Sequence, residues 1–147
     1  MRKIIIYMVL FVATSLLASE IHWAKDYHEG VKESQKTDKP MLVVYSRHTC
    51  KYCVQLNNTT FKDAKVIQYL NENFVSIISY SDENDFIPPA LRTPSTPTIW
   101  FLFPTTEPMF QPILGAVDAK NFYNALQIVK KEFDENRLEA KPKKYEK

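Results

Sequence analysis

Cys50 and Cys53 are the only two cysteines of the chain, and their Cys-x-x-Cys spacing suits reversible disulfide chemistry. They follow a continuous apolar run at residues 41–45, which predicts a buried strand, and they open the next predicted helix. Unpaired N–H groups and the macrodipole at a helix N-terminus stabilise an anion, so the first thiol should ionise more readily than a free cysteine. We therefore predict that Cys50 is the attacking thiolate and that Cys53 resolves the mixed disulfide.

Two side chains beside the pair are candidates for tuning the pKa of the thiols. Lys51 puts a positive charge next to Cys50, and such a charge favours the thiolate. His48 lies two residues before Cys50, where it could exchange protons with the pair. A solvent-exposed loop histidine is the simpler interpretation of His48.

Other interpretations of the cysteine pair compete with redox chemistry. A structural disulfide between Cys50 and Cys53 would close a four-residue loop and would constrain the unfolded chain little. A metal site could use both cysteines and His48, but zinc sites take four ligands, or three and a water, and the sequence has no second cysteine pair. Soft Cu(I) accepts fewer ligands, so a copper site stays open. A c-type haem attachment is excluded because Val54, rather than histidine, follows Cys53.

Four strands and four helices are predicted around the pair. Runs of apolar, β-branched and aromatic residues predict strands at residues 41–45, 74–80, 98–103 and 109–114. Trp23, Tyr27 and Val31 share the spacing of one helical face, which predicts a first helix over residues 23–36. The further helices are predicted to begin near Cys50, after Asp63 and after Asp118.

The order of these elements, α, β, α, α, β, β, β, α, indicates the fold class. Helices between the first two strands favour a parallel crossover, whereas the last two strands are close enough in sequence for a hairpin. We predict one α/β domain with a mixed central four-stranded sheet flanked by helices. The domain is expected over residues 20–134, and a charged, disordered tail is expected over residues 135–147.

The first 19 residues have the parts of a secretory signal peptide. Arg2 and Lys3 precede an apolar run at residues 4–12, and small residues follow up to Ser19. A retained membrane anchor is the alternative, because the whole apolar stretch approaches the ~17–25 residues that a span requires. We predict cleavage near Ser19 and export to the periplasm or an equivalent compartment.

The composition excludes several other classes of function. Of the 147 residues, 45% are hydrophobic and 24% are charged, which is typical of a globular domain. The only two glycines are Gly30 and Gly115, too few for a Gly-rich phosphate loop or a dinucleotide-binding motif. The formal net charge is +2 and no basic stripe is visible, so a nucleic-acid partner is not expected.

Several segments resemble the thioredoxin-like superfamily, and in particular its exported branch. Residues 39–53, which include the Cys-Lys-Tyr-Cys motif, resemble the active-site region of these proteins. Residues 61–75 resemble the helix and strand that follow the motif in the exported branch, and residues 96–101 resemble the cis-proline segment. Gly115 stands where a glycine closes the family's β-hairpin. The resemblance covers residues 23–133, and it implies a thioredoxin-like fold.

The resemblance also implies roles for two residues outside the motif. Pro97 would be the cis-proline that packs against Cys50, and the backbone of Thr96 would pair with a substrate strand. A cis X-Pro bond is a minority state that tertiary context holds in place. Thr96 and Pro97 are therefore expected to shape the substrate-binding groove.

Val44 departs from the family pattern. Many thioredoxins carry an acidic residue six positions before the first cysteine, where it assists proton transfer to or from the second cysteine. Val44 occupies that position in this chain. Another group, such as His48, Tyr45 or water, would have to move the proton, or disulfide exchange would be slower.

The function implied by the resemblance is thiol–disulfide exchange with cysteine-containing protein substrates, without a cofactor or a bound metal. The sequence does not decide the direction of electron flow. We favour a monomeric reductase kept reduced by a membrane-bound electron carrier, because the branch that the chain resembles is often reductive. The alternative is a thioredoxin-fold copper carrier or a redox-inactive binding module, although no histidine follows Thr98 to act as a distal copper ligand.

Overall fold

A computed structural model describes residues 20–140, so the predicted signal peptide at residues 1–19 lies outside the described residues. The helices are α1 (Tyr27–Thr37), α2 (Lys51–Asn58), α3 (Ala64–Asn73) and α4 (Ala119–Ala140). The strands are β1 (Met41–Ser46), β2 (Val75–Tyr80), β3 (Thr98–Leu102) and β4 (Ile113–Leu114). Single turns of 3-10 helix lie at Thr60–Lys62 and Pro89–Leu91. The order of helices and strands is the predicted one.

The four strands form one mixed sheet in the order β2-β1-β3-β4. β1 pairs in parallel with β2, because α2 and α3 return the chain to the same edge, and β3 pairs antiparallel with both β1 and β4. The predicted α/β class, the mixed four-stranded sheet, the parallel crossover and the final hairpin are all confirmed.

β1 is a central strand buried on both faces, as its continuous apolar run predicted. Leu42 and Val44 pack in a core cluster with side chains from α2, α3 and α4. Met41 and Val43 pack in a second cluster on the other face, with side chains from α1 and β2. The strand is therefore packed between two cores. Its C-terminal end fixes the position of the Cys-x-x-Cys segment that follows.

The first helix begins later than predicted, and Trp23 is not part of it. Trp23 forms a parallel bridge with Ser76 of β2, and the N–H of Ala24 donates to the Ser76 carbonyl at 2.8 Å. Asp26, with an extended backbone, then caps α1 by accepting a hydrogen bond from the N–H of Glu29. The four-residue spacing of Trp23 and Tyr27 suggested one helical face. The segment before Asp26 instead pairs with the sheet, so the helix begins only after Asp26.

The last strand is shorter than the predicted residues 109–114. The N–H of Met109 does donate to the Phe101 carbonyl at 2.8 Å, but regular pairing is limited to Ile113–Leu114. Proline cannot donate to a strand ladder, and Pro112 interrupts the segment just before β4.

The end of the chain also differs from the prediction. α4 continues to Ala140, so residues 135–140 are helical and the predicted domain boundary at residue 134 falls inside the helix. Arg137 of this segment pairs with Asp38, just after α1, at 3.0 Å. Residues 141–147 lie outside the described residues. No helix in the described range is long and apolar enough to span a membrane.

Candidate active site

The two cysteines lie where β1 passes into α2. Cys50 is the N-cap of α2 and has an extended backbone, so its sulfur reaches back to accept a hydrogen bond from the N–H of Cys53 at 3.3 Å. Cys50 is partly exposed, whereas only 1% of Cys53 is exposed. Both thiols are free. One sulfur is thus open to a partner from solution, and the other lies behind it within reach of an internal attack.

The surroundings of Cys50 favour its thiolate. Partial burial acts to raise the pKa of Cys50, but hydrogen bonds from the Cys53 thiol, the Thr96 hydroxyl and the N–H groups of Cys53 and Tyr52 outweigh it. The pKa of Cys50 therefore lies below its ordinary value, as expected for a thiol at a helix N-terminus. In its neutral form the Cys50 thiol donates to the Thr96 carbonyl at 3.2 Å.

Cys53 is shifted in the opposite direction. Burial raises the pKa of Cys53, and the adjacent Cys50 raises it further. Hydrogen bonds from the Ser46 and Thr96 hydroxyls and from the Arg47 N–H act against this rise without cancelling it. Cys53 is accordingly the protonated partner at neutral pH, and Cys50 is the thiol that ionises more readily.

Thr96 and Pro97 lie beside the cysteines at the start of β3. The Thr96–Pro97 peptide bond is cis, and Pro97 is buried. The Pro97 carbonyl accepts from the N–H of Gly115 at 2.8 Å, which ties the segment to the end of β4. Gly115 has a φ of +87°, a left-handed conformation that glycine adopts readily. The fold thus brings Thr96 and Pro97 to the cysteine pair across 46 residues of sequence.

The two predicted tuning residues have no large part in the pKa of Cys50. Neither Lys51 nor His48 is among the groups that shift this pKa most. The His48 ring stacks on Tyr80 with centroids 3.9 Å apart, and its Nδ1 lies 3.2 Å from Asp82 Oδ1. The side chain of His48 is half exposed, which agrees with the simpler interpretation of a loop histidine.

Ser46 was missed by the sequence analysis. It lies two residues after Val44, the position where the family often has an acid, and 1% of each side chain is exposed. The hydroxyl of Ser46 is one of the groups that act against the rise in the pKa of Cys53. The only signal in the sequence was a polar residue that ends an apolar strand just before the motif.

The sequence profile of the thioredoxin-like domain matches residues 27–130, from the start of α1 well into α4. The chain belongs to this family. The matched range contains both cysteines, Thr96 and Pro97, and its fold is the one that the resemblance implied. The family and the cysteine geometry together support a thiol–disulfide oxidoreductase as the class of enzyme.

Solved structures agree with the thioredoxin-like fold. A thioredoxin from Thermus thermophilus superposes with a TM-score of 0.64 and 25% identity, over 75% of this chain and 87% of that one. A DsbH oxidoreductase superposes with a TM-score of 0.60, over 80% of this chain and 89% of that one. The identity to the DsbH oxidoreductase is 11%, so that likeness concerns the fold alone.

Curated relatives match a shorter part of the chain. Anterior gradient protein 3 from Mus musculus is 26% identical over 58 residues, which are 40% of this chain and 35% of that protein. Anterior gradient protein 2 from Xenopus laevis has the same identity over 31% of its length. The matched part of the chain thus spans about a third of the length of these relatives.

Within residues 20–140, no group of three or more His, Cys, Asp or Glu side chains is placed to hold a metal ion. The third candidate ligand, His48, is held by Asp82 through its ring and its backbone N–H, the latter at 2.9 Å from Asp82 Oδ2. The arrangement at Cys50 and Cys53 is suited to dithiol–disulfide chemistry.

Proposed function

We propose that this thioredoxin-like protein is an exported thiol–disulfide oxidoreductase that exchanges disulfides with cysteine-containing protein substrates. The observation that carries the proposal is the asymmetry of the pair: a partly exposed Cys50 with a lowered pKa stands in front of a buried Cys53 with a raised one. The first nucleophile must be accessible and readily ionised, whereas the resolving thiol needs no access to solvent, because it loses its proton only to attack the adjacent Cys50 sulfur.

In the proposed reduction of a substrate, the Cys50 thiolate attacks one sulfur of the substrate disulfide. A bond forms between Cys50 and that sulfur while the substrate S–S bond breaks, and the second substrate sulfur leaves with the electron pair and takes up a proton. Cys53 then attacks Cys50, and the first substrate sulfur leaves in the same way. Two electrons pass from the dithiol to the substrate, and the Cys50–Cys53 disulfide remains.

The surface next to Cys50 supports a protein as the substrate. Tyr52 and Val54, at the start of α2, are 56% and 44% exposed although both are largely apolar. Exposed apolar side chains beside a reactive group favour contact with another protein. In the proposed complex, the backbone of Thr96 next to Pro97 pairs with the substrate strand.

Export, reductive direction and the electron donor are further parts of the proposal. Residues 1–19 have the pattern of a cleaved signal peptide, which supports a periplasmic or equivalent location. There, the protein would act as a monomeric reductase and would itself be reduced by a membrane-bound electron carrier. The solved structure of a thioredoxin, at 25% identity, is consistent with this class of reaction.

A redox titration of residues 20–147 tests the function and its direction together. The protein is equilibrated in glutathione buffers, and the Cys50–Cys53 disulfide is quantified after alkylation of free thiols. A reductase should show a two-electron transition near the potential of thioredoxin, about −270 mV, rather than near about −120 mV, the value of a strong oxidant. A transition at the second value would overturn the reductive direction, and a pair that never forms a disulfide would overturn the function.

A further inference from the structure

A turn at residues 47–50 leads from β1 into α2 and delivers the nucleophilic cysteine. The N–H of Cys50 donates to the Arg47 carbonyl at 3.3 Å, which closes this turn directly before the helix. Cys50 then caps α2, and its sulfur accepts from the N–H of Cys53 at 3.3 Å. The conformation of the turn therefore decides where the Cys50 sulfur stands relative to the free N–H groups of the helix.

The segment after β2 is bonded to this turn residue by residue. The N–H of Ser81 donates to the Ser46 carbonyl at 3.0 Å, and Arg47 Nε donates to Ser81 Oγ at 3.3 Å. Asp82 accepts from the backbone N–H of His48 at 2.9 Å through Oδ2, and its Oδ1 lies 3.2 Å from His48 Nδ1. The chain just beyond β2 thus holds the chain just beyond β1.

Asp82 is itself placed by a tight turn. The N–H groups of Glu83 and Asp85 both donate to the Tyr80 carbonyl at 3.2 Å, and the N–H of Tyr80 donates to Asp85 Oδ2 at 2.9 Å. The His48 ring stacks on the Tyr80 ring, with centroids 3.9 Å apart. Only 28% of the Asp82 side chain is exposed. Its carboxylate therefore approaches His48 from a fixed position.

On the basis of the proposed disulfide exchange, we propose that Asp82 is a positioning residue: its carboxylate holds the backbone of His48 and so fixes the turn that places the Cys50 sulfur at the N-terminus of α2. A carboxylate suits this role because both of its oxygens are acceptors, and hydrogen bonds to a charged acceptor are strong. One oxygen takes the backbone N–H, and the other faces the ring. Asp82 acts through His48 and exchanges no proton with the thiols.

The carboxylate of Asp82 has two effects of opposite sign on Cys50. A negative charge near the sulfur disfavours the thiolate, so removal of the charge alone should lower the pKa of Cys50. Release of the turn should raise this pKa, because the sulfur then loses its alignment with the N–H groups at the start of α2. The sign of the change separates positioning from charge.

The variants Asp82→Asn and Asp82→Ala test the role. Both remove the charge, but asparagine keeps an oxygen that accepts from the His48 N–H. In a Cys53→Ala background Cys50 is the only cysteine, and its rate of modification by iodoacetamide against pH gives the midpoint of its ionisation. We expect the midpoint of Asp82→Asn at or below that of the background. The midpoint of Asp82→Ala should lie about half a pH unit above it, which is about a threefold lower thiolate fraction.

Equal midpoints of the two variants, or a midpoint of Asp82→Ala below that of the background, would overturn the inference. A general loss of stability does not produce the expected pattern, because the midpoint is measured on folded protein and urea denaturation reports stability separately. If Asp82→Ala does not fold, Asp82→Glu replaces it, since glutamate keeps the charge and moves the carboxylate by one methylene. A raised midpoint then supports the role, and an unchanged one rejects it.

Glu83→Gln is the matched control. Glu83 Oε1 lies 3.6 Å from His48 Nε2, and 59% of the Glu83 side chain is exposed. The variant removes a charge of the same sign from the same turn and leaves the bond between the His48 N–H and Asp82 in place. We expect the midpoint of Cys50 not to rise. A rise as large as that of Asp82→Ala would reject the specific role of Asp82.

The two proposals fail in different ways. If the wild-type protein does not exchange disulfides, the proposed function fails, whereas the ionisation of Cys50 still reports on Asp82. If the wild-type protein exchanges disulfides but the midpoint of Cys50 is the same in Asp82→Asn and Asp82→Ala, only the role of Asp82 is rejected.

Discussion

At the scale of single residues, the site depends on two identical side chains placed in different surroundings. Cys50 receives several hydrogen bonds at the N-terminus of α2, whereas Cys53 is enclosed behind it. The sequence predicted this division of labour, because the N-cap position alone decides which thiol meets the free N–H groups. It did not predict that Ser46 influences the pKa of Cys53, because that influence depends on how closely the end of β1 packs against α2.

The opposite pKa shifts predict selective alkylation. With iodoacetamide at neutral pH, Cys50 of the reduced protein should react more than about tenfold faster than Cys53, since each unit of pKa difference changes the thiolate fraction about tenfold. The lowered pKa of Cys50 means that its rate should reach a plateau at a lower pH than that of a free cysteine. Peptide mapping by mass spectrometry measures both rates.

Protein unfolded in urea serves as the control for alkylation, because there both thiols are exposed to solvent and should react at similar rates. Faster modification of Cys53 than of Cys50 in the folded protein would contradict the assignment of nucleophile and resolving thiol.

At the scale of elements, the long apolar patterns predicted which helices and strands form, but not where each of them begins and ends. The two long apolar patterns, in β1 and in α4, led to correct elements because each buries a continuous face. The predicted extents of the first helix and of the last strand were wrong. A bridge from Trp23 to Ser76 sets the start of the helix, and Pro112 sets the start of β4. The bridge joins residues that are distant in sequence, and no local pattern reports it, whereas Pro112 is a local feature that the prediction overlooked.

Gly30 shows why the packing of α1 on the sheet is close. Glycine inside a helix normally costs about 0.5–1 kcal/mol relative to alanine, so Gly→Ala would usually stabilise. A Cβ at Gly30 would collide with the buried side chain of Ile77 in β2. We therefore expect Gly30→Ala to lower the free energy of unfolding by about 1–3 kcal/mol, as other overpacking changes do. Urea denaturation measures the difference.

A double-mutant cycle separates this collision from a general effect on the helix. In an Ile77→Ala background the colliding atoms are gone, so Gly30→Ala should cost much less there than in the wild-type protein. A stabilising effect of Gly30→Ala in the wild-type protein would show that the helix and the sheet are not packed this closely.

At the scale of the whole molecule, the fold explains why residues 46 apart act on one another. β3 lies beside β1 in the sheet, so the turn before β3 meets the turn after β1, and Thr96 reaches Cys50. This meeting could be inferred from the sequence only through the family resemblance, because the connection between β2 and β3 has no periodic pattern of its own. The match to the thioredoxin-like domain over residues 27–130 covers every residue involved.

The central claim is that Cys50 attacks and Cys53 resolves, and trapping of the mixed disulfide tests it most directly. Cys53→Ala and Cys50→Ala are each mixed in reduced form with a peptide that contains a disulfide, and the adducts are identified by mass spectrometry under non-reducing conditions. The account predicts that Cys53→Ala accumulates a mixed disulfide through Cys50, that dithiothreitol releases it, and that Cys50→Ala accumulates little. Equal trapping by the two variants, or trapping through Cys53 alone, would contradict the account.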